Sequence, residues 1–195
     1  MSALSLSAAR RLAARPPLQV DPGRPAAIKR NQHEIVVSAG ADAFARALKD
    51  VLSEPDVRFG PIAIKRPADR VGAAFVAGER FTGCVRLFGR LGRLGVWLDD
   101  RVASDYAEIV VLEPRRVVYR YLAGSPIAGE STFAVEEVGR DRSLLRATFA
   151  FQEVGGLAVT VLHRFGLRLH DEVTREQAER AARRLGAVVL SSTLR

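Results

Sequence analysis

The stretch from Ser104 to Leu185 constrains the fold of this chain most, because its hydrophobic period changes once along its length. Apolar and polar residues first alternate, as in half-buried strands, and then recur every fourth position from Leu157 to Val173, as on one face of a helix. The sequence therefore predicts antiparallel strands followed by one long amphipathic helix. The predicted strand segments are Ser104–Glu113, Arg115–Leu122, Glu130–Val138 and Leu145–Phe151.

The first part of the chain is predicted to add further strands and one helix. Apolar residues alternate in some segments and recur with helical spacing in another, and glycines and prolines separate these segments. The predicted elements are a strand at Gln32–Ser38, a helix that buries Phe44, Leu48 and Val51, a short strand between Val57 and Pro67, and a hairpin of Val71–Val76 with Phe81–Leu87.

This order of elements resembles the START/Bet v-like helix-grip superfamily, also called SRPBCC or polyketide cyclase/dehydrase-like. The resemblance implies an α+β fold in which a curved antiparallel sheet of about six to seven strands wraps around a long C-terminal helix. It also implies a cavity for hydrophobic small molecules, lipids or polyketide-like intermediates; some members are enzymes and many only bind. The segments that carry the resemblance are Glu34–Val37 with the helix around Phe44, Val111–Pro114 running into Arg116–Tyr119, the paired strands Ser131–Val138 and Ser143–Phe151, and the closing helix.

Binding of a hydrophobic small molecule or lipid, without covalent chemistry, is the first functional hypothesis. A buried tyrosine presents an apolar ring and a hydroxyl that needs a hydrogen-bond partner. Tyr119 and Tyr121 therefore either orient a ligand oxygen or form a wall with hydroxyls bonded to solvent or backbone. The residues expected to line the cavity are Val117, Tyr119, Tyr121, Phe133, Val135, Leu145, Phe149, Phe151, Val161 and Phe165.

An enzyme of the cyclase or dehydrase type is the second hypothesis, with Glu108 or a tyrosine as acid or base. Glu108 shares one side of its predicted strand with Tyr106. If that side faces the cavity, desolvation raises the pKa of Glu108 and makes it a usable acid or base. The opposite side, with Ile109 and Val111, is at least as apolar, which favours a solvent-facing Glu108. No catalytic residue is therefore assigned.

The first 30 residues are basic and poor in large apolar side chains. They contain six arginines or lysines against Asp21 alone, which gives +5 of the chain's net charge of +8. We expect a disordered tail over residues 1–30 before a helix-grip domain at residues 31–190; an organelle transit peptide is the less favoured alternative. The tail permits at most peripheral contact with an anionic membrane. With the arginine-rich rim Arg86–Arg101, it supports a third hypothesis, docking on an acidic partner.

Several classes of site lack support in the sequence. A single cysteine, Cys84, excludes an intrachain disulfide or a cysteine-based zinc site, and His33, His163 and His170 have no partners at metal-ligand spacing. No nucleotide, flavin, haem or metal motif occurs, so no cofactor is expected, and no specific nucleic-acid motif accompanies the arginines. No apolar run reaches the ~20 residues of a membrane span. A cytoplasmic location is expected, and the sequence leaves the oligomeric state open.

Overall fold

One antiparallel sheet and a long helix organise the chain in the computed structural model, which describes residues 3–23, 28–55, 57–59, 62–87, 96–97, 104–154 and 157–194. The helices are α1 (Leu6–Ala13), α2 (Ala41–Leu52) and α3 (Leu157–Arg184). The strands are β1 (Ile28–Val37), β2 (Arg58–Phe59), β3 (Ile62–Lys65), β4 (Arg80–Leu87), β5 (Val96–Trp97), β6 (Ser104–Glu113), β7 (Arg116–Tyr121), β8 (Ile127–Gly139), β9 (Arg142–Glu153) and β10 (Val189–Leu194).

The strands lie in the order β10-β1-β9-β8-β7-β6-β4-β3-β2, with β5 paired to β4. The predicted α+β class is confirmed, although the described ranges contain ten strands rather than six to seven. The predicted strands of the second half are present as β6 to β9, and α3 ends before Gly186, whose φ of 65° suits glycine. In those ranges no helix has an apolar stretch long enough to cross a membrane.

Alternation along β8 and β9 places their apolar side chains on one face, which we call the inner face. Ser131 lies opposite Phe149, and Val135 lies opposite Leu145, so these residues share that face. Helix α2 packs against β8 and β9, while α3 packs against α2, β1, β9 and β10. Burial of both apolar surfaces drives this packing. The buried core includes Ile35, Val37, Phe44, Leu48, Val51, Val135, Leu145, Val173, Ala178 and Ala181.

Two features of the strand arrangement differ from the sequence prediction. Val71–Val76 forms no strand, because both sides of β4 are already occupied by β3 and β6: Gly83 lies between Ile64 and Asp105. The second difference is β10, which the sequence did not predict. It pairs with β1 at the edge of the sheet, and most of its residues are exposed, so it lacks the alternation that marks a half-buried strand.

The N-terminal segment differs from the predicted disordered tail because α1 packs on the outer face of the sheet. Leu4 and Leu12 are buried with Tyr106 and Leu122 in a small apolar cluster. The Ser5 hydroxyl caps the helix by accepting a hydrogen bond from the Ala8 N–H at 3.3 Å. The expected boundary at residue 30 also falls inside β1.

Two arginines anchor the end of α1 to the sheet. The Arg80 guanidinium donates hydrogen bonds to the carbonyl oxygens of Ala13 and Arg15, at 2.7 and 2.8 Å. Arg15 in turn lies 3.6 Å over the Tyr106 ring and donates to the Ala123 carbonyl at 2.5 Å. These contacts satisfy carbonyl groups that a helix end leaves unpaired, so α1 is held by polar as well as apolar contacts.

Leu12→Ala is expected to lower the free energy of unfolding by about 2–5 kcal/mol, because it opens a cavity beneath a side chain that is 2% exposed. Leu6→Ala in the same helix is the matched control, since Leu6 is 71% exposed; its effect should stay within about 0.5 kcal/mol. Denaturant unfolding of both variants measures the difference. Equal, negligible effects would show that α1 does not pack on the sheet.

Candidate functional site

A cavity of about 320 Å³ lies between α2 and the inner face of β6, β7 and β8. Helix α2 contributes one wall because its buried face turns towards the sheet, and β7 contributes the opposite wall through alternate residues. Most of the lining is apolar. It includes Ala45, Leu48, Leu52, Ile64, Phe75, Phe81, Ile109, Leu112, Val117, Tyr119, Phe133 and Val135.

Aromatic rings form a continuous wall along the sheet side of this cavity. The Tyr119 ring stacks on Phe133 at a centroid distance of 5.9 Å and an angle of 23°. Tyr119 also meets Phe81 edge-on at 5.7 Å, and Phe81 meets Phe75 in the same way. Phe133 continues the row to Phe149 at 5.8 Å. Such mutual contacts fix the rings in place, so the wall presents a preformed apolar surface.

Polar residues of α2 and of the β6–β7 turn also line the cavity. Lys49 of α2 donates hydrogen bonds to the carbonyl oxygens of Glu113 and Pro114 at 2.5 and 2.8 Å, which ties α2 to the turn between β6 and β7. Burial lowers the pKa of Lys49. Arg115 in the same turn binds Asp42 of α2 at 2.6 Å. These contacts hold α2 against the β6–β7 turn.

Three hydroxyl groups meet behind the aromatic wall, and of the three residues that carry them Tyr119 also lines the cavity. The Tyr121 hydroxyl lies 3.2 Å from the Ser131 hydroxyl, and the Tyr119 and Tyr121 rings are nearly perpendicular at a centroid distance of 5.8 Å. Burial raises the pKa of Tyr119 to about 12, and burial also raises the pKa of Tyr121 well above its usual value. Both tyrosines therefore keep their protons at neutral pH and act as hydrogen-bond donors.

Asp105 is the functional candidate that sequence reasoning missed. On β6, Ala107 lies opposite Tyr121, and Asp105, two residues earlier, lies opposite Gly83; all four positions are therefore on the inner face. Burial raises the pKa of Asp105 to about 6, and its charge raises the pKa of both neighbouring tyrosines. The Asp105 side chain is half-buried, and it is not among the residues that line the cavity beneath α2.

The predicted lining residues divide into three groups. Val117, Tyr119, Phe133 and Val135 line the cavity. The others with described side chains lie behind that wall: Tyr121, Phe149 and Phe151 form one buried cluster, and Leu145 belongs to the core under α2. Val161 and Phe165 fall in the first half of α3, whose side chains lie outside the described part of the chain, as do the side chains of the Arg86–Arg101 rim.

Glu108 lies on the outer face of the sheet, away from the cavity. Its carboxylate is 3.3 Å from the Arg80 guanidinium that binds the end of α1. Its neighbours Ala107 and Ile109 take the inner side of the strand. The position of Glu108 therefore suits anchoring of the N-terminal segment and not proton transfer in the cavity.

His33 and Cys84 lie elsewhere in the fold. The His33 Nε2 is 2.7 Å from the Ser192 hydroxyl, and its Nδ1 is 3.8 Å from the Asp171 carboxylate. Burial lowers the pKa of His33, although Asp171 opposes this shift. Cys84 is buried in β4. Across the described ranges, no three histidine, cysteine or acidic side chains cluster closely enough to hold a metal ion.

Comparison with known proteins finds likeness in structure but not in sequence. No family model matches the chain, and no curated protein gives a significant match. An aromatase/cyclase from a Streptomyces species matches with a TM-score of 0.55 at 19% identity, over 81% of this chain and 96% of its own. A major latex-like protein from Panax ginseng matches with a TM-score of 0.50 at 13% identity, over 77% and 95% of the two chains.

A conserved protein from Geobacillus kaustophilus matches with a TM-score of 0.51 at 10% identity, over 80% of this chain and 96% of its own. Nearly the whole length of each of these three structures therefore overlaps this chain, while the residues differ at most positions. The shared feature is the fold, and it agrees with the helix-grip fold that the order of elements predicted.

Asp105→Asn is expected to stabilise the ligand-free protein by about 2–3 kcal/mol at about pH 7. The folded protein raises the pKa of this carboxyl from 3.8 to about 6, so ionisation at neutral pH costs folding free energy that an amide does not. The gain should vanish towards about pH 4, where Asp105 is protonated in the folded wild type.

Denaturant unfolding across this pH range measures the effect of Asp105→Asn. Asp69→Asn is the control, because Asp69 is exposed and its substitution should change stability by less than about 0.5 kcal/mol. Loss of stability in Asp105→Asn at neutral pH would contradict a desolvated carboxyl.

Proposed function

We propose that this protein, whose fold is the START/Bet v-like helix-grip fold, binds a hydrophobic small molecule or lipid-like ligand in the cavity beneath α2. The observation that carries the proposal is the cavity of about 320 Å³ with its aromatic wall of Phe81, Tyr119 and Phe133. Cavities of roughly 300–1,000 Å³ with mostly apolar linings and a few polar groups are typical ligand sites.

The chemistry of the lining supports a ligand that is apolar and at least partly flat. Burial of apolar surface contributes roughly 25 cal/mol per Å² to such binding. The stacked pair Tyr119 and Phe133 offers ring faces, and aromatic ligands gain further stabilisation from offset or edge-on contacts with such rings. The hydroxyl group of Tyr119, which lines the cavity, supplies a donor that fixes the orientation of the ligand.

Val117→Phe is expected to weaken binding of the neutral probe naphthylethanol at least about tenfold, because the larger side chain fills the cavity. Val138→Phe makes the same chemical change at an exposed position and serves as the control. Isothermal titration calorimetry of the full chain measures both affinities. Failure of the wild-type protein to bind any neutral apolar probe, or equal binding by both variants, would contradict the proposed site.

Proton transfer on the bound ligand is a second candidate function, favoured by Asp105. A carboxyl with a pKa of about 6 exchanges protons readily near neutral pH, and the tyrosine hydroxyls beside it suit an oxygen that gains negative charge. Ionised Asp105 would remove a proton next to a ketone carbonyl, leaving an enolate bound by a tyrosine hydroxyl. The aromatase/cyclase from Streptomyces, whose structure is similar to this one, is named as an enzyme.

Deuterium uptake by beta-tetralone in heavy water tests this second function. We expect the wild-type protein to accelerate the exchange, with a rate that rises with pH up to about 6 and then levels off as Asp105 ionises. Asp105→Asn should abolish the acceleration, and Glu108→Gln on the outer face should retain it. Exchange that is no faster than in buffer, or that survives Asp105→Asn, would refute proton transfer by Asp105.

A further inference from the structure

We infer that the ligand of this cavity is an apolar carboxylic acid whose carboxylate binds to Arg46 and Lys49 of α2. The inference rests on the proposed binding function and adds the chemical class of the ligand. Both residues line the cavity, and they lie about one helical turn apart, so they are neighbours on the surface of α2. They bring positive charge to a lining that is otherwise mostly apolar.

Most charged residues that line the cavity are basic. In the part of the chain that the structure describes, four basic residues and one acidic residue contribute to the lining: Arg46, Lys49, Arg115, Arg116 and Asp50. Asp50 is exposed, so solvent screens its charge. An apolar ligand with a negative group therefore complements this lining better than a neutral or cationic ligand of the same size.

Two of the four basic residues are not available to a ligand. Arg115 binds Asp42 at 2.6 Å, and Glu137 is a second acidic neighbour at 3.9 Å. Arg116 alternates with Val117 on β7, and Val117 faces the cavity, so the Arg116 side chain is on the outer side of the strand. Arg46 and Lys49 are therefore the basic groups of the lining that a ligand can use.

Lys49 keeps both a donor and a positive charge for a ligand. Its ammonium group has three N–H donors, and two of them bind the carbonyl oxygens of Glu113 and Pro114. These bonds hold the Nζ atom at the edge of the cavity, because Pro114 also belongs to the lining. Neutral carbonyl groups leave the charge of the ammonium without a counter-ion, which a ligand carboxylate supplies.

Arg46 lies beside the same turn. It is about one helical turn from both Asp42 and Lys49, and these two residues contact the β6–β7 turn. Asp42 is close enough to feel the charge of Arg46, but it accepts its hydrogen bond from Arg115. Among the described residues, Arg46 therefore has no hydrogen-bonded carboxylate. A guanidinium can donate to both oxygens of a ligand carboxylate, and Arg46 is exposed and so reachable.

The test compares naphthylacetate, which is ionised at about pH 7.5, with naphthylethanol, its neutral analogue of similar size. Isothermal titration calorimetry of the full chain should show at least about tenfold tighter binding of the acid. Arg46→Gln should lower this preference to about threefold, and Arg46→Gln combined with Lys49→Gln should lower it to less than about twofold. In both variants the alcohol affinity should change by less than about threefold, which shows that the cavity is intact.

Arg10→Gln is the matched control. Arg10 is an exposed residue of α1, on the other face of the sheet, so its substitution removes the same charge away from the cavity. This variant should keep the full preference for the acid. Loss of the preference in Arg10→Gln would overturn the inference, because the net charge of the protein would then set the preference.

The outcomes separate this inference from the proposed function. Equal affinities for acid and alcohol in the wild-type protein would overturn the inference and leave apolar binding intact. A preference that survives the combined substitution of Arg46 and Lys49 would also overturn it, because the carboxylate would then bind elsewhere. If neither probe binds, both the inference and the proposed function fail. A preference that is present in the wild-type protein and in Arg10→Gln but lost in the combined variant supports both.

A second measurement needs no substitution. Raising the sodium chloride concentration from about 0.05 M to about 0.5 M should weaken binding of the acid at least about threefold, because salt screens the exposed charge of Arg46. The alcohol has no charge, so its affinity reports any effect of salt on apolar binding and corrects for it. A preference for the acid that does not change with salt would overturn the inference.

Discussion

The packing of α2 and α3 against one face of a wide sheet is the constraint on which the rest of the structure depends. At the β1–β9 side, the buried residues Ile35, Val37 and Leu145 contact the helices directly and fill the core. Towards β6 and β7, aromatic rings on the sheet stack on one another, as Tyr119 does on Phe133. There the described side chains of α2 and of the sheet enclose the cavity, and hydrogen bonds from Lys49 hold α2 to the β6–β7 turn.

The part of the fold that follows from local periodicity could be predicted from the sequence. Alternation placed Tyr119, Phe133 and Val135 on one face, and these residues do line the cavity. Alternation could not predict which acidic residue of β6, Asp105 or Glu108, is on that face, because β6 has apolar residues on both sides. Helix α1 covers the outer face over Tyr106, and β6 has a register shift between Ile109 and Val111, after which the two faces exchange. Neither feature can be recognised from the sequence of the strand itself. Only the pairing of β6 with β4 and β7 shows that Asp105 is on the inner face.

The same reasoning explains why both ends of the chain were difficult to predict. Helix α1 has a short apolar stripe and many arginines, a composition that is typical of a solvated tail. Its order depends on the distant residues Arg80 and Tyr106, together with Arg15. Strand β10 likewise depends on the edge of β1 for its hydrogen bonds. In both cases the tertiary partner decides the local structure, and local sequence contains little information about that partner.

Asp105 links the structure to the second candidate function, since a desolvated carboxyl costs folding free energy and can exchange protons near neutral pH. The most direct test of this account follows the carboxyl-carbon NMR signal of Asp105, assigned by its absence in Asp105→Asn, during a pH titration of the ligand-free protein. The account predicts an apparent pKa of about 6. Titration near the ordinary value of about 4 would contradict it, because the carboxyl would then be solvated.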